Sequence, residues 1–226
     1  MKERGMIFNG EMVRAILDGR KTQTRRIMKV QPENSELGLR RVVESKNGID
    51  DGKYFWSQSD ATGLKSRSKP FACPFGTVGD RIWVREAFRV HSRATDVATL
   101  VYKASERNSW TEQTHRVPVA VFNKPATPEK WTPSLHMPRW ASRILLEITD
   151  VRVERLNSIS QEDAKAEGME LTGWRPTYSD PDSGGEVWTP YDNFAQLWES
   201  IYGEESWKAN PWVWVIEFKR VEGGAA

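Results

Sequence analysis

The sequence predicts an α+β fold in which bent strands form a small, partly closed β-barrel flanked by short helices and long loop insertions. Three observations support this prediction. Short segments of alternating apolar residues recur along the chain, as expected for half-buried strands. Segments with helical spacing are short, and long polar stretches rich in Gly, Pro, Asp and Ser separate them. One long β-type segment changes the parity of its apolar positions midway, which indicates a bulge of the kind that bends barrel strands.

The first helix and its end are clear N-terminal features. Residues 6–8 read as a short strand, and the apolar residues between 12 and 17 then recur at helical spacing. Gly19 suits the left-handed conformation just past a helix end. Residues 21–24 are therefore expected in the turn that leaves the helix, and 25–28 are expected to return as a strand.

Two stretches without a clear apolar pattern are predicted to be insertions into a single domain that spans residues 1–222. The first insertion, at about 31–68, contains Asn-Gly and Asp-Gly turn signals and is predicted to hold a hairpin. The second, at about 172–190, is another Gly, Pro, Asp and Ser-rich loop. Residues 223–226 are assigned to a tail.

An alternating segment follows a glycine-rich turn and carries one misplaced carboxylate. Apolar residues occupy even positions between Ile82 and Val90, and arginines occupy odd positions. Glu86 falls on the apolar side, where a carboxylate is costly unless it meets a cation or hydrogen-bond donors. A partner such as Lys21 is expected, although a structural ion pair with an arginine explains the same parity.

The rest of the chain alternates short strands and helices. The predicted elements are a strand at 99–103, a helical turn opened by Pro138, a strand at 144–155 with a bulge near 149–150, a helix between Ser160 and Gly168, a helix at 193–202 and a strand at 212–218. The last strand begins with apolar residues on both faces, so it is expected to be buried on both sides.

Composition excludes several classes of protein. The formal net charge of +2 gives no general attraction to nucleic acid, so any basic patch must be local. The single cysteine, Cys73, and the lack of an apolar signal segment near Met1 favour a cytoplasmic location. The longest apolar run, 212–216, is too short to span a membrane, and we expect no membrane partner. Three scattered histidines give no metal-ligand spacing, so neither a metal nor a cofactor is expected.

The run at 19–26, Gly-Arg-Lys-Thr-Gln-Thr-Arg-Arg, concentrates more usable chemistry than any other stretch. A hydroxyl attacks an amide when its proton is removed, and an amine can act as the base if its pKa is lowered. Neighbouring arginines would lower the pKa of Lys21, whereas Glu86 would raise it, so the protonation state stays open. A solvated surface turn, in which Thr24 bonds the backbone, is the alternative interpretation.

The residues Gly19, Lys21, Thr24 and Arg26 resemble the signature of the ASCH domain, G-x-K-x-x-E-x-R. This family is a branch of the PUA-like β-barrels, and Thr24 stands where many members have glutamate. The resemblance covers nearly the whole chain outside the two insertions and looks like the longer ASCH-type proteins encoded by bacteriophages and prophages, through residues 78–86, 131–140 and 210–215.

This resemblance implies a metal-independent amidohydrolase that acts on acylated cytosine nucleosides such as N4-acetylcytidine. A small bacterial branch with threonine at the glutamate position is similar to an enzyme of that activity, which uses a lysine, a threonine and a glutamate. The matching positions are Lys21, Thr24 and Glu86. We expect Lys21 to be the base, Thr24 the nucleophile, and Glu86 the group that orients Lys21 or passes a proton to the leaving amine.

Further residues are candidates for substrate binding. Arginines or backbone amides of the 21–24 turn would stabilise an oxyanion, and an indole ring would stack on the pyrimidine. The candidates are Arg20, Arg25, Arg26, Trp83, Trp131 and His136. A hydrogen-bonded structural histidine beside Pro138 is the other interpretation of His136, and most tryptophans are expected in the core.

Two rival functions stay open. In the first, the protein is an RNA- or DNA-binding PUA-like module without catalysis, whose cations at 20–26 contact phosphates and whose aromatic residues receive unpaired bases. In the second, it is a phage accessory protein whose loops contact a host protein. The expected partner is thus a small modified nucleoside or a nucleic acid, and the sequence leaves the oligomeric state open.

Overall fold

A five-stranded sheet with helices on both faces forms the centre of this α+β protein, seen in a computed structural model. The structure describes residues 1–106, 108–121, 125–170, 172–175 and 186–221. Within these ranges the strands are β1 (Glu3–Ile7), β2 (Gln23–Ile27), β3 (Gly38–Arg41), β4 (Tyr54–Asp60), β5 (Gly63–Arg67), β6 (Arg81–Arg85), β7 (Phe88–Arg93), β8 (Val97–Tyr102), β9 (Thr114–Pro118), β10 (Leu145–Arg155), β11 (Thr172–Arg175), β12 (Glu186–Trp188) and β13 (Trp212–Arg220). The α-helices are α1 (Gly10–Leu17), α2 (Trp110–Gln113), α3 (Gln161–Ala166), α4 (Pro190–Tyr202) and α5 (Glu204–Lys208).

The main sheet has the strand order β1-β6-β10-β13-β2. The pair β1 and β6 is parallel, and the other neighbours are antiparallel. The register of β10 against β13 shifts between Ile148 and Asp150, so the bulge predicted from the change of parity is confirmed. This shift lets β10 keep apolar side chains on the core side before and after it.

The two edge strands of the main sheet approach each other through a side chain. Arg26 on β2 donates a hydrogen bond from Nη2 to the carbonyl of Ile7 on β1, over 2.8 Å. Among the described residues no strand pairing joins β1 to β2, so the sheet is open. The sheet therefore bends far enough for its edges to meet by one arginine.

The helix α1 covers one face of the main sheet. The Asn9 side chain accepts from the backbone N–H of Met12 and caps the helix, and Val13 and Ile16 enter the core. Gly19 lies just past the helix end with φ of +76°, as the sequence predicts. The helices α3 and α4 cover the opposite face, where Phe194 and Trp198 contact the odd-numbered side chains of β13. Hence β13 is buried on both faces.

Two three-stranded sheets extend the fold. The predicted insertion at 31–68 holds the three-stranded sheet β3-β4-β5, and its Trp56 packs on Trp212 of the main core. The alternating segment at 82–90 is divided between two sheets, because β6 joins the main sheet and β7 pairs with β8 in the sheet β7-β8-β9. The break between them falls at Glu86 and Ala87.

The second predicted insertion lies only partly within the described residues. The strands β11 and β12 pair at its ends, and residues 176–185 are outside the described ranges. The predicted tail at 223–226 also lies outside them. In the part of the chain that the structure describes, no helix is long and apolar enough to cross a membrane.

Candidate functional site

The Glu86 carboxylate is buried at the break between β6 and β7 and borders a cavity of about 710 Å³. Its backbone N–H points to the Met137 sulfur at 3.2 Å. Arg143 holds the carboxylate in a fork, with Nε 2.9 Å from Oε1 and Nη2 3.1 Å from Oε2. Burial raises the pKa of Glu86, and the Arg143 guanidinium opposes part of this rise.

Arg143 is itself fixed on all sides. Its Nη2 donates to the Ser105 hydroxyl over 2.8 Å, and its Nη1 donates to the Glu112 carbonyl over 3.0 Å. Its guanidinium lies 4.1 Å from the centre of the Tyr102 ring, and the Tyr102 hydroxyl donates to the Ala141 carbonyl. The carboxylate of Glu86 is therefore held in a defined orientation.

The cavity beside Glu86, called here the Glu86 cavity, opens around the N-terminal end of α1. Its wall combines one aromatic ring with polar and charged groups from four parts of the chain. The residues that line it are Phe8, Asn9, Gly10, Glu11, Arg14, Glu86, Ala87, Lys103, Ala104, Glu106, Asn108 and Ser134. The volume of the cavity is in the range of small-molecule sites, and most of the residues that line it are polar.

Lys21 lies in a second buried ionic group, at the other end of α1. Its backbone N–H donates to the Ala15 carbonyl, and its ammonium donates to the Glu167 carboxylate over 2.6 Å and to the Glu167 carbonyl over 2.8 Å. The Lys21 side chain has no exposed surface. Burial lowers the pKa of Lys21, Glu167 opposes this effect, and Arg26 and Arg25 add to it.

Arg25 completes this second group, called here the Lys21 network. Its guanidinium contacts three carboxylates, those of Glu154, Asp163 and Glu167, at 3.0 to 3.4 Å. Its Nε is buried and has no hydrogen-bond partner among the residues that the structure describes. The Arg25 guanidinium is thus bound by carboxylates inside the protein, and its side chain has no exposed surface with which to contact a ligand.

Thr24 faces the other side of β2 from Arg25. Side chains alternate along a strand, and both Gln23 and Arg25 bond to Asp163 on α3. Thr24 is buried. It lines neither the Glu86 cavity nor a cavity of about 550 Å³ between α1 and α4.

The structure thus separates Glu86 from Lys21, and the ion pair expected between them is wrong. Lys21 is bonded near the C-terminal end of α1, whereas the Glu86 cavity surrounds its N-terminal end, and eight helical residues span about 12 Å. Arg143 is the partner of Glu86, as the structural alternative foresaw, and Glu167 is the partner of Lys21. Sequence reasoning named neither partner.

The remaining cations of the basic run also have internal partners. Arg20 contacts Asp18 at 3.0 Å and Glu170 at 3.2 Å. Arg26 bonds Ile7 and lies 5.3 Å from the centre of the Phe8 ring, which lines the Glu86 cavity. The run therefore stabilises the junction of β2, α1 and α3, and Arg26 is its nearest member to the Glu86 cavity.

The aromatic candidates lie on a different surface. Arg85 covers the Trp83 ring at 5.4 Å, and Arg89 covers the Trp131 ring at 4.7 Å. Arg85 also donates to the Leu135 carbonyl, which ties it to the turn that contains the exposed His136. The Trp83 ring lies so close to β1 that a Cβ on Gly5 would be 2.5 Å from it. These residues form an Arg–Trp surface beside Ser134 of the Glu86 cavity.

Comparison with known proteins adds no relative. No protein-family model matches the chain, and neither the curated proteins nor the solved structures contain a match. Among the described residues, no group of three or more His, Cys, Asp or Glu side chains is arranged to hold a metal ion. The geometry of the site is therefore the basis for its functional interpretation.

Proposed function

We propose that this protein is an amide hydrolase of the ASCH, PUA-like type, acting on acylated cytosine nucleosides such as N4-acetylcytidine in the Glu86 cavity. The observation that carries the proposal is a buried carboxylate with a raised pKa at the wall of a cavity of about 710 Å³. The resemblance of the basic run and of segment 78–86 to the ASCH family supports the choice of substrate. The edge-to-edge contact of Arg26 supports a partly closed barrel.

The Glu86 carboxylate suits an amide on cytosine. Among the described residues Arg143 is the hydrogen-bond donor to both oxygens and occupies one direction of each, which leaves one further direction on each oxygen to accept a proton. Carboxylates accept readily from the exocyclic nitrogen of cytosine. A raised pKa makes the carboxylate a stronger base, so the same group can accept a proton from water and return it.

The reaction consumes one water molecule. Glu86 takes a proton from the water as its oxygen bonds to the acyl carbon, and the carbonyl oxygen becomes an oxyanion. The bond from the acyl carbon to the cytosine N4 then breaks, and Glu86 returns the proton to N4. Cytidine and a carboxylic acid leave. Arg14 and Lys103 are the cations of the cavity wall available to the oxyanion.

In this proposal Lys21 and Thr24 stabilise the fold rather than react. The ASCH resemblance instead assigns them the roles of base and nucleophile, and a kinetic comparison of variants distinguishes the two assignments. The proposal assigns the chemistry to Glu86 because Glu86 lines the Glu86 cavity, whereas Lys21 and Thr24 do not, although all three residues are equally buried.

The test measures cytidine release from N4-acetylcytidine. Glu86→Gln should lower kcat by about 100-fold or more, since positioned acid-base groups contribute that much. Glu106→Gln, which changes another carboxylate of the same cavity, is the matched control and should keep most of the activity. Thr24→Val should also keep it.

Two results would contradict this assignment. Absence of cytidine release by the unaltered protein would overturn the hydrolase proposal. Full activity in Glu86→Gln together with loss in Thr24→Val would move the chemistry to Lys21 and Thr24. Thermal unfolding of each variant shows whether a loss of activity reflects a loss of fold.

The Arg–Trp surface favours nucleic-acid binding as a second candidate function. Guanidinium groups over indole rings offer both stacking planes and positive charge to single strands. In the described part of the chain, the Nε atoms of Arg81, Arg85 and Arg89 are buried and have no hydrogen-bond partner. This surface replaces the cations at 20–26 as the proposed contact, because Lys21 and Arg25 are enclosed.

A salt titration tests the second candidate. Binding of a single-stranded RNA should weaken as salt rises, and Arg85→Ala should reduce the slope by about one unit per lost phosphate contact. Arg40→Ala on β3, exposed and remote from the Arg–Trp surface, is the control and should leave the slope unchanged. A binding constant independent of salt would contradict this candidate.

A further inference from the structure

Arg143 lies just before β10 and connects three other parts of the chain around Glu86. Its fork to Glu86 joins it to the break between β6 and β7, and its stacking on Tyr102 joins it to the end of β8. Its bonds to the Ser105 hydroxyl and the Glu112 carbonyl join it to the turn after β8 and to α2. The orientation of the Glu86 carboxylate therefore depends on an arginine that other parts of the chain hold in place.

The Arg143 guanidinium has little freedom left. A guanidinium carries five N–H donors in a fixed plane. Arg143 makes hydrogen bonds of 2.8 to 3.1 Å from Nε and Nη2 to Glu86, from Nη2 to Ser105 and from Nη1 to Glu112. The Arg143 side chain is 11% exposed, and that of Glu86 is 2% exposed. A rotation of the guanidinium would break several of these bonds at once, so the fork has one geometry.

A lysine at position 143 would keep the charge but not the fork. The three donors of an ammonium share one nitrogen, whereas the fork uses two nitrogens in one plane. An ammonium would bind the Glu86 carboxylate as a point charge and would leave its plane free to tilt. It would also not reproduce the bonds to Ser105 and Glu112 together. Substitution at this position therefore separates the effect of charge from the effect of geometry.

We propose that Arg143 is a positioning residue of the Glu86 site, which fixes the plane of the Glu86 carboxylate for proton transfer, and that Ser105 supports it in this role. This inference rests on the proposed hydrolase function. Arg143 acts through Glu86, since it is not among the described residues that line the Glu86 cavity. A tilted carboxylate is a poorer proton acceptor in the transition state, so loss of the fork lowers the rate more than the affinity for substrate.

The test measures kcat and KM for N4-acetylcytidine in Arg143→Lys and Ser105→Ala. Arg143→Lys should lower kcat by about 10- to 100-fold, because misplacing a catalytic group by about 1 Å has an effect of that size. Ser105→Ala should lower kcat by about threefold to tenfold, the effect of one lost hydrogen bond. KM should stay nearly unchanged in both variants, because the lost interaction acts in the transition state.

Ser142→Ala is the matched control. Ser142 is 3% exposed and Ser105 is 1% exposed, but the Ser142 hydroxyl bonds the carbonyls of Val84 and Ile144 instead of Arg143. Both substitutions remove a buried hydroxyl, and thermal unfolding measures the stability that each one loses. Ser142→Ala should keep its kcat. A purely structural role of Ser105 would instead give both variants the same kcat at the same loss of stability.

Arg143→Ala tests the fork itself. Methylguanidinium added to this variant should restore part of kcat, because it carries the same planar donors as the lost side chain. Methylammonium at the same concentration carries the charge without the fork and should restore less. Equal rescue by the two ions, or no rescue of a variant that thermal unfolding shows to be folded, would contradict the role of the fork.

The outcomes separate this inference from the proposed function. If the unaltered protein releases cytidine, Glu86→Gln does not, and Arg143→Lys keeps its full kcat, the positioning role is overturned and the hydrolase proposal stands. An equal loss of kcat in Ser105→Ala and Ser142→Ala would overturn the role of Ser105. If the unaltered protein releases no cytidine, the hydrolase proposal fails and this inference fails with it.

Discussion

The Glu86–Arg143 pair and the Lys21 network are both buried and ionic, yet they differ in what borders the acid. Glu86 and Glu167 each line a cavity, but among the described residues Arg143 alone binds the Glu86 oxygens, whereas both Lys21 and Arg25 bind those of Glu167. The Glu167 carboxylate therefore has less capacity left for a ligand. The difference teaches that burial, charge and a place in a cavity wall do not by themselves mark a reactive group, and that the bonding capacity which its cations leave free does.

The energetic roles of the two groups differ in the same way. Removing one partner of a buried ion pair leaves an uncompensated charge, which is costly in any interior. In the Lys21 network this cost falls on two cations at once. In the Glu86 pair it falls on Arg143.

The largest expected effect is loss of stability in Glu167→Gln. Lys21 and Arg25 would lose their shared carboxylate, and the free energy of unfolding should fall by about 3–5 kcal/mol. The Glu170 side chain is 62% exposed and forms an ion pair with Arg20, so Glu170→Gln should lower the free energy of unfolding by less than about 1 kcal/mol. Urea denaturation measures both, and equal losses would remove the distinction between network and surface.

A smaller effect is expected from closing the space beside Lys21. Gly168 has φ of +91°, and a Cβ there would lie 2.8 Å from the Ala15 Cβ and 3.2 Å from the Lys21 Cβ. Gly168→Ala should cost about 1–2 kcal/mol of strain, with overpacking in addition. Gly19→Ala, at φ of +76° in open space, should cost the strain alone. The difference in denaturant midpoint between Gly168→Ala and Gly19→Ala measures the overpacking. Identical midpoints would show that Ala15 and Lys21 move aside at little energetic cost.

The smallest expected effect is a pH dependence of opposite sign in the two regions. Burial raises the pKa of Glu86 in the folded protein, so its contribution to stability decreases as pH rises above the unfolded value of about 4.3. For Asp163, burial raises the pKa, but Arg25, Gln23 and Arg152 together lower it by more than burial raises it. The pKa of Asp163 in the folded protein is therefore below its unfolded value. Its contribution is therefore present above the unfolded pKa and is lost as pH falls.

Two isosteric variants measure this sign. Relative to the unaltered protein, Glu86→Gln should gain stability as pH rises from the unfolded pKa through the folded pKa of Glu86. Asp163→Asn should lose relative stability as pH rises through the folded and then the unfolded pKa of Asp163. Chemical denaturation at several pH values gives both slopes, and slopes of the same sign would contradict the contrast.

Local features of the sequence predicted much of the fold. Apolar spacing and glycine gave α1 and its end, and the change of parity gave the bulge in β10. Ser160 caps α3 through the N–H of Asp163, as its spacing indicates. These signals depend on neighbours in the chain, so one sequence is enough to detect them.

The partners within the site were not predictable in the same way. Glu86 was recognised as an inward carboxylate by its parity, but Arg143 lies 57 residues away and resembles other arginines in its local sequence. Glu167 is separated from Lys21 by 146 residues. Such pairings depend on how β10 and α3 pack against the rest, which periodicity does not encode.

The position of β13 has a consequence for protein synthesis. This strand lies between β10 and β2 in the main sheet, although it is the last described strand of the chain. While the ribosome is still adding residues 212–220, β2 has no antiparallel neighbour. The apolar clusters on the two faces of the sheet also lack the side chains of β13. Pairing of β2 and β10 through β13 is thus a late event, and the strand edges that β13 covers stay exposed until it occurs.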